Sequence, residues 1–187
     1  MLKIHIPARE VFNEYTDPPT YIQCKELDLE LEHSLVAISE WEAKYKRPFL
    51  VNEEKTASEF LDYISMMVVP LGSVTVEDIL GITEENVKEI KAYIDDERTA
   101  TTIPKDQKGK PTREIITSEL IYCWMTQQQI PWEAQHWHVR RLLMLLQVVS
   151  IKNQPPKKQS QAETMKQHAA LNKARRAKSS KPHIPHH

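Results

Sequence analysis

The spacing of apolar residues changes once along this chain, near residue 33, and that change limits the fold more than any other feature. Before it, apolar and polar residues alternate strictly in LKIHI (residues 2–6) and LDLELE (27–32). Such alternation is typical of a strand with one buried face and one exposed face. The intervening Asp17-Pro18-Pro19 cannot continue a strand ladder. Residues 1–33 are therefore predicted to form a small β-hairpin whose acidic residues face water.

After residue 33 the apolar residues recur every three or four positions, which is the period of an amphipathic helix. Helix starts are predicted where Ser or Thr can cap the first turn, with a capping box at Thr56-Glu59. These starts are Ser34, Thr56, Thr75 (a short turn), Thr83 and Thr112. Residues 97–112 lose the period and are predicted to form a mobile loop. A last helix is predicted from Pro131 to about Ile151, and its apolar residues on more than one side suggest the central helix of the core.

The formal net charge of -1 conceals two oppositely charged segments. Residues 1–151 hold 16 basic and 25 acidic side chains, a net charge of -9, whereas residues 152–187 hold nine basic and one acidic, a net charge of +8. A Pro-Pro-Lys-Lys linker at residues 155–158 separates them, and good helix formers follow it. The prediction is an α+β, mainly α-helical single domain (1–151) with an N-terminal β-hairpin and a basic, helical or disordered C-terminal tail (152–187).

Several functional classes are disfavoured by composition. The longest apolar-rich run, residues 142–149, is interrupted by Gln147 and is shorter than the roughly 20 residues of a spanning helix. The first ten residues lack the pattern of a secretory signal, so folding is expected in a cytoplasm, without a membrane partner. Only three glycines occur in 187 residues, which argues against a phosphate-binding loop. A nucleotide-dependent enzyme is therefore not expected.

Metal and catalytic sites are also not predicted. Cys24 and Cys123 are too far apart in sequence for a metal knuckle and are interpreted as reduced, structural residues. A spacing of two places His136 and His138 on different sides of one helix, so a surface or interface position is favoured over metal binding or catalysis. No serine lies in a nucleophile-elbow motif. The carboxylates are dispersed along the chain, so the sequence does not indicate an acid/base pair. The prediction is a non-enzymatic protein with no cofactor and no metal.

Aromatic and basic residues supply the candidates for partner contact. Trp124, Trp132 and Trp137 lie within fourteen residues around Pro131. One interpretation is a helix corner filled by aromatic rings, and the other is a docking site for a partner helix, since Trp and Arg often carry interface energy. The predicted contact residues are Trp132, Trp137, Arg140 and Arg141 in the body and Lys166, Lys173, Arg175 and Arg176 in the tail.

The basic tail leaves three interpretations open. It could follow nucleic-acid phosphates, dock on an acidic protein surface, including that of another copy of the chain, or only increase solubility. Residues 152–187 contain no Phe, Tyr or Trp that would stack on bases. This absence favours protein docking over nucleic-acid binding.

Three stretches resemble tail assembly chaperones of long-tailed bacteriophages (siphophages). They are LELEHSLVAISEWEAKYKRPFL (29–50), REIITSELIYCWMTQQQIPWEAQHWHVRRLLMLLQVVSIKN (113–153) and PPKKQSQAETMKQHAALNKARRAK (155–178). The resemblance implies a protein of the host cell cytoplasm, absent from the mature virion. Its implied partners are the tape measure protein, which it keeps soluble during tail tube assembly, and the major tail protein.

The resemblance also implies a longer form made by programmed frameshifting. Pro156-Lys157-Lys158 can be encoded by CCA AAA AAG, which contains a slippery heptamer. The gene sequence tests this hypothesis, since other codons at 156–158 would exclude the site. The chain departs from the family in a shorter linker loop and a His- and Pro-rich end. Two alternatives remain, a nucleic-acid-binding packaging or regulatory module and a structural virion component.

Overall fold

The structure is a computed structural model that describes residues 1–13, 18–51, 53–103, 114–153, 165 and 168–172. It confirms the predicted α+β class, with a β region at the N-terminus followed by helices. The strands are β1 (Leu2–Ile6), β2 (Arg9–Asn13), β3 (Thr20–Cys24) and β4 (Leu27–Leu31). The helices are α1 (Leu35–Tyr45), α2 (Ala57–Met67), α3 (Glu84–Asp95), α4 (Ser118–Gln127) and α5 (Val139–Asn153), with 3₁₀ helices at Glu77–Ile79 and Trp132–His136.

Contacts divide the chain into two compact units, Met1–Lys152 and Asn153–His187. The first unit holds the strands and the hydrophobic core. In the second unit, described residues 165 and 168–172 are helical, as the helix-forming composition of the tail predicts.

The N-terminal strands form two antiparallel pairs rather than one uninterrupted ladder. β1 pairs with β4, with Leu2 opposite Leu31, and β2 pairs with β3, with Arg9 opposite Cys24. The ladder is interrupted on one side at Pro7, which has no backbone N–H to donate. The predicted pairing of the two alternating runs is confirmed, and β2 and β3 extend it.

The two faces of β1 and β4 have the predicted character, except at the end of β4. Ile4 and Leu29 are buried, while Lys3 pairs with Glu30 across the outer face at 2.5 Å. Glu32 was expected to face water and does not, because only 9% of it is exposed. It lies just beyond β4, where the alternation ends, and accepts a hydrogen bond of 2.7 Å from the Tyr93 hydroxyl. The last member of the acidic row is therefore part of the interior.

Helix α1 is the central helix of the body. Ser34 caps it as predicted, and its side chain accepts a hydrogen bond from the Ala37 N–H. Leu35, Ile38 and Trp41 are at most 1% exposed. The helix contacts α2, α4 and the 3₁₀ helix Trp132–His136. The predicted caps of α2 and α3, at Thr56 and Thr83, are also confirmed.

Helix α4 begins later than the sequence predicted. Its N-cap is Thr117, whose hydroxyl accepts a hydrogen bond from the Leu120 N–H, and residues 114–117 are not helical. The predicted cap, Thr112, lies outside the described residues. The later start places Ser118 against the Glu42 carboxylate of α1, to which its N–H and hydroxyl donate at 2.7 and 2.5 Å. A tertiary contact therefore fixes the start of this helix.

The prediction of a single helix from Pro131 to Ile151 is wrong. A 3₁₀ helix ends at His136, Trp137 is extended (φ -77°, ψ 161°), and α5 begins at Val139. The Val139 N–H donates to the His33 carbonyl at 2.7 Å, and this bond draws the chain away from helical geometry. α5 buries fully only Val139, Leu142 and Leu146, so it flanks the core and α1 takes the central place.

Candidate functional site

Trp132 lies on the surface at the start of its 3₁₀ helix, after Pro131. It is 54% exposed, and its ring packs against Tyr122 of α4 with the centroids 5.5 Å apart. The Tyr122 hydroxyl donates to the Gln135 side chain at 3.1 Å. Only Ala134 of this 3₁₀ helix is buried, so its aromatic residue points away from the core. Trp132 thus exposes an apolar ring to solvent, and Tyr122 packs against that ring and supports it.

Trp137 occupies the extended junction before α5 and is 37% exposed. The Arg141 guanidinium lies over its ring, 4.7 Å from the centroid. In such a cation–π contact the face of the ring attracts the guanidinium, which keeps its positive charge. Arg141 is exposed and has no carboxylate within 4.0 Å among the described residues. The pair is therefore an ordered aromatic and cationic surface.

Arg140 has a different environment from its neighbour. Its Nε donates to the Ile94 carbonyl at 3.0 Å, and its guanidinium pairs with Asp95 at 3.2 Å. Both partners lie at the C-terminal end of α3, where a cation also opposes the negative end of the helix dipole. Arg140 therefore fastens α5 to α3.

The predicted contact residues do not form one cluster in the described part of the chain. Among the described residues, Tyr122 packs against Trp132 and Trp137 against Arg141, and the rings of the two tryptophans are not in contact. Trp124 is half-buried and packs against the core. Four predicted tail contacts lie outside the described residues, namely Lys166, Lys173, Arg175 and Arg176.

The two histidines near Trp137 lie in opposite environments. His136 is exposed, in agreement with a surface role, whereas His138 is buried, which corrects the prediction of a surface or interface position. The His138 ring meets His33 edge-on, with centroids 5.0 Å apart. Its Nε2 donates to the Tyr93 carbonyl at 3.0 Å, and its Nδ1 accepts from the Arg140 N–H at 3.3 Å. These two bonds select the neutral tautomer.

The buried histidine pair is held in the neutral form by its surroundings. Burial, and to a smaller extent the nearby His138 and Arg140, lower the pKa of His33 to about 3. Burial also lowers the pKa of His138. The His33 Nδ1 shares a hydrogen bond with the Tyr63 hydroxyl. Burial raises the pKa of this hydroxyl well above its ordinary value. The cluster therefore joins elements of the core as neutral groups at pH 7.

This cluster could not be predicted from the sequence, because the two histidines are more than a hundred positions apart and neither belongs to a motif. Among the described residues, no three His, Cys, Asp or Glu side chains are placed to hold a metal ion. Cys24 is buried as expected, whereas Cys123 is exposed on α4, contrary to its predicted packing role. Position 123 falls outside the buried stripe formed by Ile121 and Met125.

An open groove of about 630 Å³ lies between the start of α2 and α3. Phe60, Leu61 and Val87 form its apolar floor, and Lys91 lies over the Phe60 ring at 5.5 Å. Its rim carries both carboxylates and ammonium groups, so the charges do not select one kind of ligand.

Within the described chain, no helix is long and apolar enough to span a bilayer.

The fold and these surfaces define a mainly helical α+β protein that exposes aromatic and cationic side chains where a 3₁₀ helix meets α5. Comparisons with protein-family models, with curated proteins and with solved structures found no match for this chain.

Proposed function

We propose that this chain is a tail assembly chaperone of a long-tailed bacteriophage, which binds the tape measure protein and keeps it soluble while the tail tube assembles. The exposed pair of Trp137 and Arg141 is the observation that carries the proposal. Exposed Trp and Arg side chains on a rigid support are the residues that most often dominate protein interfaces. The resemblance of three stretches of sequence to this family supplies the identity of the partner.

The charge distribution supports a protein partner for the tail as well. The body is acidic and the tail is basic and free of aromatic residues, so the tail is suited to acidic protein surfaces. Such a tail could dock on the tape measure protein, on the major tail protein or on another copy of the body. Longer, frameshifted chains would carry the same body.

Coexpression with the tape measure protein of the same phage tests the proposal. We expect the soluble yield of the tape measure protein to rise several-fold, and removal of residues 155–187 to reduce that gain. Trp137→Ala should also reduce it, whereas His136→Ala, at the exposed neighbouring position, should not. An unchanged yield on coexpression with the full chain would refute the chaperone function.

A nucleic-acid-binding module is the second candidate, because nine of the 36 residues from 152 to 187 are basic. Phosphate neutralisation makes affinity fall steeply with salt. Binding to duplex DNA is therefore measured at about 50 and 200 mM salt. Negligible binding at the lower salt concentration removes this candidate.

A third candidate is a structural virion component. It predicts that mass spectrometry detects the chain in purified particles.

A further inference from the structure

One face of α5 carries two apolar side chains with one cation before them and one cation after them along the helix. Arg141, Leu145, Val148 and Lys152 occupy positions i, i+4, i+7 and i+11 of this helix. At about 100° per residue these four positions fall within an arc of about 60°, and at about 1.5 Å per residue they span about 16 Å. They therefore form one straight stripe, hereafter the α5 stripe.

The stripe faces away from the core. Leu142 and Leu146, on the other side of α5, are 0% and 3% exposed. Arg141 and Lys152 are exposed, and Leu145 and Val148 are half-buried and lie outside the set of side chains that packs on the core. The apolar centre of the stripe is thus partly open to solvent within the described structure.

The charges of the stripe are not compensated by described residues. Arg140 is paired with Asp95, but Arg141 and Lys152 have no carboxylate within 4.0 Å in the described ranges. Contact with the Trp137 ring also orders the Arg141 guanidinium. The stripe is therefore a local cationic site on a compact unit, residues 1–152, that holds 17 basic and 25 acidic side chains and has a net charge of -8. Complementarity of charge selects an anionic partner at such a site.

We propose that the α5 stripe binds an acidic amphipathic helix of a partner protein. Two carboxylates of that helix, about three turns apart, would meet Arg141 and Lys152, and the apolar residues between them would cover Leu145 and Val148. A helix fits because its side chains repeat with the same spacing as the stripe. If the proposed function holds, this helix belongs to the tape measure protein, and the inference rests on that function only for the partner's identity.

A second copy of α5 fits the stripe poorly. A two-fold symmetric contact uses the same patch of both copies, so that if one residue meets a second across the contact, the second also meets the first. Antiparallel α5 helices would then bring Arg141 of each copy towards Lys152 of the other, which places like charges opposite each other. The charge pattern therefore favours a different, acidic chain.

A pair of synthetic helical peptides tests the surface directly with the full-length protein. The acidic peptide has 18 residues, with Glu at two positions eleven apart and Leu at two positions between them, and the matched peptide has Lys in place of both Glu. By fluorescence anisotropy, we expect the acidic peptide to bind at least tenfold more tightly. Equal binding of the two peptides, or binding of neither, would overturn the proposal.

Charge reversal locates the binding on the stripe. The double variant R141E/K152E should weaken binding of the acidic peptide at least tenfold. The control K25E/K88E makes the same change in net charge at two exposed lysines elsewhere on the body and should leave binding within about twofold. Equal losses in both variants would show a general charge effect and would overturn the proposal.

Two further measurements separate this inference from the proposed function. Wild type and R141E/K152E are each copurified with the tape measure protein; equal recovery would leave the function standing and overturn the stripe as its binding site. If the wild type recovers no tape measure protein but binds the acidic peptide, the function fails and the stripe stands. Light scattering that shows a dimer dissociated by Leu145→Glu would identify a second copy as the occupant and overturn the proposal.

Discussion

Glu42 is a buried carboxylate on α1 that joins three parts of the body. It is 7% exposed and accepts hydrogen bonds from the Phe49 N–H at 2.8 Å and from the Ser118 N–H and hydroxyl at 2.7 and 2.5 Å. A buried charge is tolerated when hydrogen bonds replace its hydration. Glu42 therefore fixes the loop after α1 and the first turn of α4.

Replacing Glu42 by alanine should strongly destabilise the protein. The change leaves the N–H groups of Phe49 and Ser118 without their acceptor, and each unsatisfied buried donor costs about 1–3 kcal/mol. We expect the free energy of unfolding, measured in urea, to fall by about 2–4 kcal/mol. Glu40→Ala, at an exposed position of the same helix, should change it by less than about 0.5 kcal/mol. A similar small effect at both positions would contradict this role.

The buried histidines should make the fold sensitive to acid. His33 has a pKa of about 3 in the folded chain and an ordinary value of 6.5. Between these values the unfolded chain binds a proton that the folded chain does not, so the free energy of unfolding falls as the pH falls. The slope is up to about 1.4 kcal/mol per pH unit for each such imidazole. His138, whose pKa burial also lowers, adds to the effect.

Urea unfolding between pH 7 and pH 4 measures this dependence. His33→Gln removes one titrating group from a cluster that also contains Tyr63, His138, Tyr93 and the nearby Glu32. We expect a shallower fall in stability for this variant than for the wild type. His136→Gln, at an exposed position, should keep the wild-type slope. Identical slopes in all three proteins would refute the assignment to His33.

For individual residues, local patterns predicted the caps but not the buried polar groups. A cap is recognisable because its partner lies three residues away, as at Thr56 and Glu59. The partner of Glu42 lies 76 positions away at Ser118, and the helical period alone cannot identify it. The same reason hides His33 and His138.

At the scale of the element, the start of α4 can be tested by its cap. Thr117→Ala removes the acceptor of the Leu120 N–H and should lower the free energy of unfolding by about 1 kcal/mol. The same substitution at Thr112, the start predicted from the sequence, should have little effect. Thermal unfolding followed by circular dichroism compares the two variants. A larger loss at Thr112 would restore the start predicted from the sequence.

The break between the 3₁₀ helix and α5 was beyond prediction from composition. Residues 132–151 are compatible with one continuous helix. The chain leaves helical geometry at Trp137 because His138 forms a bridge with Ser34 and the Val139 N–H bonds to His33. This break is also what exposes the Trp137 ring beside Arg141, so the candidate surface depends on it.

At the scale of the whole molecule, the core lies within the first unit. Its buried side chains run from Ile4 to Leu146, all inside Met1–Lys152. A compact unit with its own core can fold independently. We therefore expect a chain of residues 1–153 to melt within about 3 °C of the full-length protein, as measured by circular dichroism.

Two results would contradict that expectation, namely a truncated chain that fails to fold and one that melts more than about 10 °C lower. Either would mean that residues 154–187 contribute to the stability of the body. The partner-binding role of the tail is tested separately, by the coexpression experiment.

Sequence patterns alone predicted the α+β class, the pairing of the first and last strands, most helix starts and the segregation of charge. These features depend on residues a few positions apart, whose spacing is the same in the chain and in the fold. Tertiary contacts set the burial of Glu32, Glu42 and His138, the division of the last helix and the exposure of Trp137. These depend on hydrogen bonds and packing between distant segments, and a local period carries no information about which segments meet.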